Sequence, residues 1–384
     1  MDKNTLKTFV GITLILFSCK KIKEILDINS PRQEYANTVK DINVFDSTMI
    51  YKWEASWDSA LFQTVAIDIP YKETGYFAAK SPKATAFKFN LDRGEIIIIE
   101  IESKEKLFAE LYKTSEKDPL KTDRIDYIEK DKTSLELEVK NPGEYIFKMQ
   151  SELLAQGYYD VVIRKKPQLI FPVAGVDSKA IQSFWGASRD GGIRSHEGVD
   201  IFAPKGTPVI ASVAGIASST DNKLGGKAIW IYQPQKKRSL YYAHLDSQYI
   251  KTKIVRVGDT IGTVGNTGNA KFTASHLHFG VYLTGKGPID PLPFIDNKSL
   301  YPSEVNSNAI DFLDKRYGKV KNSANVRVGP SLNSDVDTTL RRGATVAVSA
   351  ASNDFYRVKL LNGKQGFIYH TLLIPLNNEE TVLN

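Results

Sequence analysis

Apolar and polar positions alternate with a period of two along much of this chain, the spacing that sends neighbouring side chains to opposite faces of a β-strand. Segments 86–91, 96–101, 135–139 and 159–163 alternate or run apolar, and turn residues at Asp92-Arg93-Gly94 and Asn141-Pro142-Gly143 separate them. That rhythm predicts a β-sandwich domain over residues 55–165. Residues 166–300 are again rich in β pattern but carry many glycine turns, and residues 318–376 return to short strands. Between these, residues 19–54 are polar with little periodicity and predict an anchor segment and linker. Residues 301–317 predict a second linker, with Ser303 capping a short helix that presents Val305, Ala309, Phe312 and Leu313, and residues 377–384 are a tail.

A chain of 384 residues is long enough for two or three such domains, and 42% hydrophobic with 25% charged residues excludes a disordered chain or a polytopic membrane protein. Charge changes the picture little: 51 Lys+Arg against 44 Asp+Glu gives +7, which favours anionic partners. No basic run is interleaved with aromatics, so nucleic acid is not among the expected partners. The N-terminus is more informative. Lys3 and Lys7 precede an apolar stretch, 9–17, that is too short to cross a hydrocarbon core of about 30 Å as a helix. Residues 1–18 therefore read as a cleaved signal peptide, and Ser18 before the single cysteine resembles a lipobox in which Cys19 is acylated. The expectation is an exported lipoprotein of the cell envelope, membrane-anchored through Cys19 and facing the periplasm. One cysteine cannot form an internal disulfide, so packed cores must supply the stability.

Chemistry concentrates in the middle. Four of the five histidines fall between positions 196 and 278. His276 and His278 are two apart in an alternating strand and share a face, while Leu277 and Phe279 point the other way. His196 and Asp200 flank Gly198, which lets the chain bend so that both converge, and His244 closes a strand in Tyr241-Tyr242-Ala243-His244. Imidazole nitrogen and carboxylate oxygen are good zinc donors. Alternation alone leaves open which of His276 and His278 would bind metal. No serine sits in a nucleophile elbow and Cys19 belongs to the signal, so no side-chain nucleophile is expected. His370 stands apart and reads as structural.

The motifs Phe184-Trp185-Gly186, His196 with Asp200, Gly206-Thr207-Pro208-Val209, Tyr242-Ala243-His244-Leu245, Gly265-Asn266-Thr267-Gly268 and His276-Leu277-His278-Phe279 follow one another as in lysostaphin/LytM-type zinc peptidases, which this segment resembles. The resemblance implies an antiparallel β-sheet groove with one Zn²⁺ held by His196, Asp200 and His278, and with His276 and His244 as catalytic histidines outside the ligand set. It implies hydrolysis of cross-bridge or stem peptides of bacterial peptidoglycan by metal-activated water, His276 taking the water's proton and protonated His244 holding the oxyanion. The alternative is a wall-binding or hydrolase-activating scaffold that uses the same groove without catalysis. Ser275 and Gly280 depart from the residues common in that family and bear on substrate preference. Residues 55–165 are similar to sandwich modules that precede secreted peptidases and hold no catalytic constellation. Asn325-Val326-Arg327 with Gly329-Pro330, Tyr356 and Gly366-Phe367 resembles bacterial SH3-like domains, which implies a small barrel that binds wall peptide or glycan, or a spacer without a ligand.

Overall fold

A computed structural model describes residues 29–41, 46–79, 81–118, 120–250, 253–298, 301–310 and 312–376. The expected signal peptide at 1–18, the expected lipidation site Cys19 and the tail at 377–384 lie outside these residues. The described chain is mainly β, built almost wholly of antiparallel sheets. No helix among the described residues is long and apolar enough to cross a membrane.

The polar stretch expected to be a linker contains two helices instead, α1 (Pro31–Asp41) and α2 (Ser47–Ala60). Asp46 starts α2 by accepting a hydrogen bond from the Thr48 amide at 2.6 Å. What holds them is tertiary packing: Ile50, Trp53 and Trp57 are buried on one face of α2, and Ala36 and Val39 on α1. The Arg32 guanidinium lies 4.3 Å from each of the Trp53 and Trp57 rings, and the Trp53 indole donates to the Ser151 carbonyl at 2.8 Å. The helices thus close the outer face of a five-stranded sheet ordered Val65–Ala66, Ala84–Leu91, Gly143–Ser151, Leu107–Thr114, Thr122–Tyr127. Farther on, a short helix forms at Ser307–Ile310, with Asn306 rather than Ser303 as the side-chain acceptor at its start.

The inner face of that sheet packs on a second one through Phe87, Phe147, Leu111, Ile97, Ile99 and Val161. This second sheet does not end with its own strands. Its strand Tyr71–Phe77 pairs on one side with Gly157–Pro167 and on the other with Thr345–Ser352 of the C-terminal barrel, through Thr74 opposite Ala351 and Gly75 opposite Ala350. One eleven-stranded sheet therefore runs through both units, and Phe355 and Phe367 from the C-terminal strands fill the sandwich core. A buried ion pair crosses the same seam: Arg357 Nε and Nη2 donate to the two Glu73 carboxylate oxygens at 2.9 and 3.0 Å, with both side chains at most 3% exposed.

The middle of the chain forms a ten-stranded sheet whose main path is Ile181–Ser183, Val199–Phe202, His276–Leu283, Arg238–Gln248, Gly226–Gln233, Gly215–Asn222, Ile254–Val255. It meets the sandwich where Gln168 donates to the Gly94 carbonyl at 3.0 Å and accepts from Arg238 at 2.9 Å, where Gly94 leaves room for the Phe294 ring, and where Lys236 pairs with Glu138.

Candidate metal centre

Three strands lay the floor of the site. His276–Leu283 runs between Val199–Phe202 and Arg238–Gln248 in a register that places Asp200 and Ala243 on either side of His278. Leu277, Phe279, Val199, Ile201 and Tyr242 go to the opposite face and are fully buried in the core. The polar members of the same strands are thereby left together above it. His196 approaches from a loop after Arg194–Ser195, fixed by main-chain bonds of 2.9 Å to Ala187 and from Gly186. Between His196 and Asp200, a Cβ on Gly198 would stand 2.6 Å from the Phe279 carbonyl oxygen and 2.7 Å from the His278 ring. Room, more than a bend, is what calls for glycine there.

These elements bring together the three residues expected to bind metal. His196 Nε2 lies 3.0 Å from Asp200 Oδ1 and 3.0 Å from His278 Nδ1, and His278 Nδ1 lies 3.1 Å from Asp200 Oδ1. Donors around a tetrahedral zinc, each at ~2.0–2.1 Å, stand about 3.3 Å apart. The trio fits one ion with shifts of a few tenths of an ångström, and two imidazoles with one carboxylate are a zinc-type donor set.

Ring orientation follows from backbone carbonyls, which can only accept. Nδ1 of His196 donates to the Phe184 carbonyl at 2.9 Å, Nδ1 of His244 to that of Thr267 at 2.9 Å, and Nδ1 of His276 to that of Ala274 at 2.8 Å. Each of the three therefore turns Nε2 towards the centre. His278 alone presents Nδ1. The His244 ring centroid lies 5.1 Å from that of His276 and 5.9 Å from that of His278, and His276 Nε2 is 4.0 Å from Asp200 Oδ1.

His244 is not at a strand end as expected but inside Arg238–Gln248, with a left-handed backbone at φ 62° where the pairing with Gly226–Gln233 shifts register. Its amide donates to the Gly225 carbonyl at 2.8 Å. Loops 222–226 and 265–268 support it from behind and touch backbone to backbone: a Cβ on Gly226 would lie 2.4 Å from the Gly268 amide nitrogen. Gly268 of the Gly265-Asn266-Thr267-Gly268 motif serves this contact, whereas Gly265 leaves room for the strand itself: a Cβ there would lie 2.7 Å from the His244 carbonyl oxygen.

Electrostatics divides the group. Burial opposes ionisation of Asp200, but hydrogen bonds from His196 and His278 overcome it and hold the carboxyl far below its usual range. Burial, then the neighbouring His276 and His278, push the His244 imidazole down to about 4. Burial likewise lowers His278.

Sequence reasoning did not single out Arg189. Its Nη2 donates to Asp200 Oδ2 at 2.7 Å and to the Ser183 hydroxyl at 2.6 Å, so it occupies the Asp200 oxygen that the histidines leave free. Nor did it mark the aromatic floor beyond the histidines, where Trp230 stacks on Tyr241 at 4.3 Å and meets Tyr282 edge-on at 5.0 Å. Of the two departures noted above, Ser275 is turned away and donates to the Ala203 carbonyl at 2.8 Å. At Gly280 a Cβ would lie 2.9 Å from the Tyr282 ring. His370 packs beside Tyr369 in the barrel, far along the chain from the cluster.

Comparison with known proteins adds the family. Residues 194–291 match peptidase family M23. The chain carries an M23 peptidase domain. Residues 322–373 match the bacterial SH3 domain, so the C-terminal barrel is of that type. The M23 segment is 39% identical over 100 residues to the DD-carboxypeptidase/endopeptidase Mpg of Neisseria meningitidis, covering 26% of this chain and 22% of that protein. It is 36% identical over 138 residues to the L-Ala--D-Glu endopeptidase of Bacillus subtilis, covering 33% of this chain and 42% of that protein. The catalytic domain of the antimicrobial peptidase lysostaphin from Staphylococcus simulans is 31% identical, with 29% of this chain and 89% of that chain covered and a TM-score of 0.27. The chain thus spans between about a fifth and two fifths of the length of these two curated relatives. His196, Asp200, His244, His276 and His278 all lie inside the M23 match, whereas Ser183, Phe184 and Arg189, which brace His196 and Asp200, precede it.

Proposed function

We propose that the chain is a zinc-dependent endopeptidase that hydrolyses cross-bridge or stem-peptide bonds of bacterial peptidoglycan. The convergence of His196 Nε2, Asp200 Oδ1 and His278 Nδ1 at 3.0–3.1 Å, beside two further imidazoles, carries this reading. The match of residues 194–291 to peptidase family M23 and the names of the two curated relatives support the reaction and the substrate class.

In this reading His196, Asp200 and His278 hold one Zn²⁺. A zinc ion with three protein donors acts as a Lewis acid and makes water a nucleophile at a pH of about 7. His276, its Nδ1–H committed to Ala274, receives the attacking water's proton at Nε2. His244 faces the same space from the next strand. With its Nδ1–H committed to the Thr267 carbonyl and its proton affinity low, it is neutral in the resting groove; it would offer Nε2–H to the scissile carbonyl oxygen only after taking a second ring proton from solvent, as the negative charge developing there raises its affinity. Either histidine, once protonated, delivers the proton to the leaving amine. Arg189 holds the Asp200 carboxylate in orientation through Oδ2.

The residues before position 20 support export and a lipid anchor at Cys19, which would set the groove beside the wall. The SH3-type barrel adds a candidate surface for wall peptide or glycan. Digestion of purified sacculi followed by mass spectrometry of the released muropeptides tests the proposal. Cleaved peptides are expected with the Zn²⁺-loaded protein and none after chelation; intact muropeptides from several wall types under both conditions would overturn it.

A further inference from the structure

Away from the groove, α2, residues 76–78 and 81–86 and the C-terminal barrel border a cleft of about 590 Å³. Among the described residues its lining contains Lys52, Lys83, Arg316, Arg357 and Lys359 and no aspartate or glutamate. Arg357 is matched by Glu73 at the back wall. The other four have no carboxylate partner among the described residues; Lys359 Nζ reaches only the neutral Gln63 side chain, at 2.7 Å. They come from three separate parts of the fold, so rigid packing holds like charges together. The Lys83 ammonium, facing solvent at the mouth but hemmed in on its inner side, is held down to about 8, first by loss of water and then by Arg316, Lys359 and Arg357. An anion in the cleft would relieve that repulsion.

The size and the rest of the lining decide what kind of anion. A volume in the range of about 300–1,000 Å³ suits an organic ligand far larger than a single inorganic ion. Ala55, Ala60, Phe77 and Val348 give the cleft an apolar side that a bare oxyanion would leave uncovered, and Ser56 and Ser59 add hydroxyls.

We propose that this cleft binds an acidic peptide of two or three residues bearing at least two carboxylates. The main chain and methylenes of the peptide cover the apolar side, and its carboxylates meet Lys83 and Lys52 at the mouth and Lys359 and Arg316 farther in. The site is independent of the groove and of the peptidase reading.

Calorimetric titration of the full chain with the tripeptide Glu-Glu-Glu at physiological ionic strength tests this, with tripolyphosphate in a parallel arm. Saturable binding at one site per chain is expected, weakened at least tenfold in Lys52→Gln/Lys83→Gln. These two side chains make no hydrogen bond that the fold needs, so the thermal midpoint of the variant should not fall. Asp200→Ala should bind the tripeptide as the parent does, which separates the cleft from the groove. Absence of saturable binding, equal affinity in the double variant, loss in Asp200→Ala, or tighter binding of tripolyphosphate than of the tripeptide would each overturn the assignment.

Discussion

Replacing Arg357 by methionine tests whether the sandwich and the barrel are one cooperative unit. Glu73 is completely buried and accepts four hydrogen bonds: two from Arg357, one from the Tyr71 hydroxyl at 2.6 Å and one from the Tyr159 hydroxyl at 2.9 Å. The variant removes both charge-assisted bonds and, among the described residues, the only cation paired with Glu73, and leaves a carboxylate among phenols. Breaking a buried pair by removing one partner costs ~3–5 kcal/mol. With a urea slope of ~1–3 kcal/mol per M, the midpoint should fall by about 1 M or more. Trp53 and Trp57 pack against the sandwich while the other two tryptophans, Trp185 and Trp230, lie in the middle of the chain, so a Trp185→Phe/Trp230→Phe background lets fluorescence report the sandwich alone. Glu73→Gln/Arg357→Met, which buries no charge, should recover most of the stability. An unchanged midpoint in Arg357→Met, or a double variant no better than the single one, would refute the reasoning.

Other consequences can be checked alongside. Arg189→Met should weaken zinc affinity about 10–100-fold, the usual cost of losing a partner behind a ligand, measured by competition with a chromophoric chelator; Asp200→Ala should lose measurable zinc in the same assay. His244→Ala and His244→Gly should both lose about 10²–10⁴ in turnover on sacculi. The glycine variant should be the more stable of the two, since alanine at φ 62° costs ~1–2 kcal/mol against ~0.5–1 kcal/mol for glycine's extra chain entropy. Lys148 is buried with its ammonium 4.1 Å from the Trp57 ring and is held down to about 8, so between pH 8 and its ordinary 10.5 the unfolded chain binds the extra proton and stability rises with pH. Lys148→Met should flatten that rise in urea titrations from pH 8 to 10. Trp230→Ala should raise KM for wall peptides more than it lowers kcat, if the aromatic floor only binds substrate.

Much of the centre could be read from the chain because strand alternation is a local code: His276 and His278 share a face whatever surrounds them. The atoms they offer could not. That His278 presents Nδ1 while the other histidines present Nε2 depends on carbonyls of Phe184, Thr267 and Ala274, which the fold delivers from elsewhere. Arg189 escaped for the same reason, being tied to Asp200 only through a loop that folds back. The helices after residue 30 were hidden by their polar composition, yet Ile50, Trp53 and Trp57 already had the three- and four-residue spacing of a buried helical face. The joint sheet had no such signal. Nothing in Thr74-Gly75 or Ala350-Ala351 marks them as partners, because main-chain pairing between distant edges leaves no side-chain pattern.

The strand His276–Leu283 carries its chemistry and its core on alternate residues, and this has a consequence for folding. Slipping it by one position against Val199–Phe202 would bury two imidazoles and expose Leu277 and Phe279. The register that makes the hydrophobic core is therefore the only one that assembles the donor set, and an ion captured by His196, Asp200 and His278 would tighten on that register alone. Errors of pairing in this strand would be penalised twice, once by exposing its apolar residues to water and once by dispersing the donors that a metal ion needs.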